Sequence, residues 1–85
     1  RHLRYIREHK KALYTSLLTS GRLHSYLADV EEQAQELFDR LMKQRAEREG
    51  ITETLKTDNQ MEWVQRMNAL RLAVTETVNA EVIFV

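Results

Sequence analysis

The 85-residue chain has no cysteine, no proline and two glycines, Gly21 and Gly50. Without cysteine there is no disulfide framework, thiolate nucleophile or thiolate metal site. Without proline, and with so little glycine, few residues interrupt a helix. No apolar run approaches the roughly 20 residues of a membrane span, so no membrane association is expected. The three histidines, His2, His9 and His24, form no Glu-x-x-His or His-x-x-x-His pair. On a helix His2 and His9 would share a face but stand about 10 Å apart along the axis, too far for one ion. They are therefore read as solvated or partner-facing. There is no glycine-rich phosphate loop, and Ser16, Ser20 and Ser25 have no patterned base. The expectation is a protein that is not an enzyme, with no catalytic residues, metal, cofactor or small-molecule substrate. Absent cysteine and a missing membrane span also suggest a cytoplasmic location.

What is present is helix-forming and charged. Apolar residues make up 42% and charged residues 31% of the chain, with a net charge of zero. That is enough for one modest core in a single small domain, 1–85. The charge is polarised. Residues 1–24 hold Arg1, Arg4, Arg7, Lys10, Lys11 and Arg22 against Glu8, a net of +5, and the remainder nets −5. Such asymmetry can orient a partner.

The apolar period predicts three helices. The first spans about 2–19, with Leu3, Ile6, Leu13 and Leu17 on one face and Lys10 interrupting it, its stem expected to snorkel. Gly21 then tolerates a left-handed turn, and Ser20 is a candidate cap. The second spans about 22–49. Leu23, Leu27, Val30, Ala34, Leu37 and Leu41 follow the alternating three- and four-residue steps of a bundle seam. Tyr26, Phe38 and Met42 widen that seam, and Gly50 closes the helix. Acidic residues come early and basic ones late, which suits the helix dipole. Residues 51–58 read as a connector in which Thr52 caps a short turn. Thr57 with Gln60 has capping-box form, and Asp58 is an alternative cap. The third helix spans about 59–83, with Trp63, Met67, Leu70, Val74 and Val78 in line. The tail "VIFV", 82–85, is apolar throughout. The predicted fold is all-α, a three-helix bundle dominated by a long antiparallel hairpin of the second and third helices.

The segments "LLTSGRLHSYLADVEEQAQELFDRLM", "REGITETLKTDNQMEWVQRMN" and "NAEVIF" together resemble the TnpV family of transposon-encoded proteins. The similarity runs along nearly the whole chain. It implies a mobile-element origin and a preceding N-terminal segment, which the first residue, Arg1, also suggests. It implies no reaction and no catalytic residues.

Two functional readings follow. In the first the protein is an interaction or oligomerisation module, a homodimer or the binder of another protein. The stripe of Tyr26, Phe38, Met42, Trp63 and Met67, with Phe84 of the tail, would serve as core or interface. A methionine and aromatic run at this spacing is usually core. The first helix, about 27 Å long, would leave part of a hairpin of roughly 40 Å uncovered. In the second reading Arg1, Arg4, Arg7, Lys10 and Lys11 form a nucleic-acid face of an accessory or regulatory DNA-binding protein. The helix, glycine turn and helix superficially resemble a helix-turn-helix. The second helix is too long and too acidic at its start to be a recognition helix, because its carboxylates would repel phosphates. The plain alternative is a solvated basic face paired with those carboxylates.

Overall fold

The computed structural model describes residues 1–84. They are all-α: 88% of the described residues are helical, with no strand among them. The elements are α1 (His2–His9), α2 (Lys11–Ser20), α3 (Leu23–Arg48), α4 (Glu53–Asp58) and α5 (Gln60–Val78), followed by a π turn, Asn79–Ile83. Five α-helices among the described residues thus stand where three were expected.

The first difference is a break at Lys10, which has φ −130° and ψ 57°. A continuous helix would place Lys10 on the face that carries Leu3, Ile6 and Leu17. An ammonium there would be costly to bury. The break leaves Lys10 exposed. Its N–H still bonds the Ile6 carbonyl and its own carbonyl accepts from Tyr14, both at 2.9 Å. The chain therefore turns without losing the adjoining helical bonds.

Both glycines end helices in the left-handed region, Gly21 at φ 73° and Gly50 at φ 72°. Each closes a paired-bond terminus. Arg22 N–H bonds Leu17 O at 3.0 Å, with Gly21 N–H on Leu18 O; Ile51 N–H bonds Ala46 O at 2.9 Å, with Gly50 N–H on Glu47 O. This is the Schellman pattern, which satisfies the last carbonyls of a helix. Ser20 does not cap α3: its hydroxyl donates to Leu17 O at 3.3 Å, and α3 opens at Arg22 without a side-chain cap.

The connector is itself helical. Thr52 caps α4, its hydroxyl accepting from Leu55 N–H at 3.4 Å. Neither Thr57 nor Asp58 caps α5. Asn59 does, accepting from Glu62 N–H at 3.2 Å while its amide reaches the Glu62 carboxylate at 3.4 Å. An N-x-x-E cap thus replaces the expected T-x-x-Q one.

α3 and α5 lie side by side in opposite directions. Glu31, Ala34 and Phe38 line a groove with Thr75 and Val78, whereas Arg45 and Glu49 line one with Arg66, Ala69 and Ala73. Between them sits the main core of Val30, Ala34, Ile51, Leu70, Val74, Val78 and Ile83. Ile6 and Leu17 are also buried, which fixes α1 and α2 against α3. Each valine, leucine or isoleucine among them contributes roughly 1.5–3 kcal/mol when fully buried. The π turn folds back on α3 and carries Ile83, fully buried, into the core. In the expected apolar tail, Val82 is half-buried, Phe84 exposed, and Val85 lies outside the described residues.

Candidate functional site

The stripe named from the sequence packs inward. Tyr26, Phe38, Met42, Trp63 and Met67 are all partly buried against the main core. The Lys56 Nζ of α4 lies over the Trp63 ring, 4.8 Å from its centroid, a cation–π contact with the indole face that contributes about 0.5–1 kcal/mol.

A different apolar face remains open. Met61 is 73% exposed, Val64 39% and Leu72 63%. On a 100° wheel they fall on one side of α5, with Asn68 between them and the core residues Leu70 and Val74 on the opposite side. α5 is thus apolar on two faces. The stripe expected from the sequence, through Trp63 and Val78, does not include this second face, although the spacing of Met61, Val64 and Leu72 is visible in the sequence.

The basic residues Arg1, Arg4, Arg7, Lys10 and Lys11 are all exposed. They do not form one continuous helix face, because the chain breaks at Lys10. Nor do they pair with the acidic start of α3. Among the described residues the ion pairs are local: Arg4–Glu8 at 3.8 Å, His9–Glu8 at 4.0 Å, Arg45–Glu49 at 3.4 Å and Arg66–Glu62 at 2.9 Å. Exposed pairs such as Arg4–Glu8 contribute about 0–1 kcal/mol, so they hold Arg4 weakly. Arg1 instead donates to Asn79 Oδ1 at 2.6 Å, which ties the start of α1 to the π turn.

His2 is not solvated, contrary to the sequence expectation. It is 2% exposed. Its Nδ1 meets the Ile83 carbonyl at 2.5 Å and its Nε2 the Tyr26 hydroxyl at 2.7 Å. His9 and His24 are exposed.

A groove of about 490 Å³ lies between α3 and α5 and is lined by Arg45, Glu49, Ile51, Arg66, Ala69, Leu70 and Ala73. Both of its arginines are already paired with glutamates. Among the described residues no three His, Cys, Asp or Glu side chains converge as a metal ion would require. No helix of the described residues is long and apolar enough to cross a membrane.

A family model described as transposon-encoded protein TnpV matches residues 1–83. No curated protein and no solved structure matches.

Proposed function

The chain belongs to the TnpV family of transposon-encoded proteins, and from that premise we propose that it works without catalysis, as a self-associating interaction module of a mobile element. The observation that carries this reading is the second apolar face of α5: Met61, Val64 and Leu72, exposed on the side away from the core. Isolated surface leucines are ordinary, but three apolar side chains in line on one helix mark a contact surface.

The face is self-complementary. With α5 antiparallel to α5 of a second copy and a two-fold axis at Asn68, Val64 on each chain meets Leu72 on the other, and the two Asn68 amides meet at the axis. An asparagine in an apolar seam fixes register by pairing with its counterpart, and a two-fold contact uses the same patch on both subunits. Phe38 and Met42 belong to the core here, so the interface is moved from the inner stripe to the outer one.

Analytical ultracentrifugation tests the proposal. At about 100 µM, well above a micromolar Kd, the species should approach twice the 10.1 kDa chain mass. Leu72→Asp should return it to the monomer with its helical circular dichroism unchanged. A wild-type monomer at that concentration sinks the reading.

A further inference from the structure

α1 and the residue that follows the π turn build a cleft that the α5 face does not involve. It measures about 320 Å³ and is lined by Arg1, Arg4, Tyr5, Glu8, His9 and Phe84. Tyr5 stands within it, its ring centroid 5.2 Å from that of His9 and 5.7 Å from that of Phe84. Phe84 is 47% exposed although Ile83 beside it is fully buried. The ring is held there by the backbone: Phe84 N–H bonds Asn79 O at 2.8 Å, the five-residue step of a π turn. Such wide turns recur at functional sites. The Arg1 guanidinium is pinned at the mouth by Asn79. Arg4 is held only by its exposed pair with Glu8, and Arg7, Lys10 and Lys11 stand exposed farther along the same segment.

We infer that this cleft binds an unpaired base of a single-stranded nucleic acid. The base stacks on the exposed face of Phe84, with the tilted Tyr5 ring, at 58° to it, bordering the base edge-on, and the neighbouring phosphates lie on Arg4, Arg7 and the lysines at the break. Exposed aromatic faces beside a cationic track are what single strands use, because each of their bases presents a free π face. In a duplex those faces are hidden in the stack, and a surface that reads phosphates alone gains nothing from an open phenyl ring. The net +5 of residues 1–24 favours a polyanion over an apolar peptide.

The test is fluorescence anisotropy at about 50 mM salt, with labelled oligothymidylate, oligouridylate and a DNA duplex, each of about 12 nucleotides. Either single strand should bind at least about tenfold more tightly than the duplex, and the tighter of the two identifies the preferred sugar. Phe84→Ala should weaken binding about tenfold and Phe84→Trp should retain it. Arg4→Gln with Arg7→Gln should lower the slope of log K against log salt by about 0.7 per lost contact. Failure of every oligonucleotide to bind overturns the inference. So does equal binding of duplex and single strand that Phe84→Ala leaves untouched. A Phe84→Ala variant that changes the sedimenting mass but not oligonucleotide affinity would place the ring at an interface between copies, and also overturns it. Leu72→Asp, which addresses the α5 face, should leave strand binding at a single site intact.

Discussion

At the scale of single residues, His2 joins more of the molecule than any side chain of its size would suggest. The Ile83 carbonyl can only accept, so Nδ1 carries the proton and donates to it. In the neutral ring Nε2 is then the acceptor, and the Tyr26 hydroxyl donates. One imidazole thereby ties α1 to α3 and to the π turn. Tyr26→Phe removes the donor and leaves Nε2 buried without a partner, which should cost about 1–3 kcal/mol. His2→Ala strands both partners and empties the site, and should cost about 2–4 kcal/mol. In a domain of this size each kcal/mol lowers Tm by about 4–8 °C. Urea denaturation of the two variants and of the double variant measures these terms, and the combined loss should be well short of additive because the residues share one bond. A His2→Ala protein within about 0.5 kcal/mol of wild type, the scatter of ordinary surface substitutions, would show that the imidazole bridge does not hold the ends together.

At the scale of elements, the two closing glycines give the cleanest expectation. A Cβ added at Gly21 or Gly50 meets nothing within 4 Å, so the cost of substitution is conformational alone. Gly21→Ala and Gly50→Ala should each lose about 1–2 kcal/mol, the penalty of a left-handed backbone for an L-residue. Asn at either place should lose less, because it tolerates that region. Asn59→Ala should lose about 1 kcal/mol with its cap. Chemical denaturation reads all of these, and a neutral Gly50→Ala would mean that the left-handed closure of α3 is not retained in solution. Both glycines were legible in the sequence, as were α3 and α5, because periodicity and turn chemistry are local. Ala34, Leu70 and Val74 could be placed in the core for the same reason. The break at Lys10 was not legible as a break. The lysine on the apolar face was visible, but a bent backbone and a snorkelling stem are equally consistent with the pattern. His2 and Phe84 were out of reach for a different reason. The partners of His2 are 24 and 81 residues away, and the cleft joins the first turn of the chain to residue 84, a juxtaposition that only the folded topology creates.

At the scale of the whole molecule, shape and surface bear on whether a second copy adds stability. The described chain measures 55 × 19 × 17 Å with a radius of gyration of 17.0 Å, against about 12 Å for a compact domain of this length. Its accessible surface is 6190 Å², where a monomer of its mass would show about 5,300 Å². A rod this thin buries few residues completely, and its stability should gain from a second copy along its length. A standard interface removes about 800 Å² per partner, the same order as the surplus. If the α5 faces pair, association and folding are linked, and Tm must rise with protein concentration. Once the protein is above its dimer Kd, each tenfold increase should add up to about 1.4 kcal/mol per dimer. Differential scanning calorimetry or thermal circular dichroism across two decades of concentration measures this directly. Leu72→Asp, exposed in the single chain, should remove the concentration dependence and leave the Tm of the most dilute wild-type sample nearly unchanged. Leu70→Asp, by contrast, should abolish folding at every concentration, because Leu70 is 3% exposed in the core and an unpaired carboxylate there has no compensation. A wild-type Tm that is flat with concentration would leave the second apolar face of α5 without a second copy to cover it, and would reject the dimer whatever the single chain's stability.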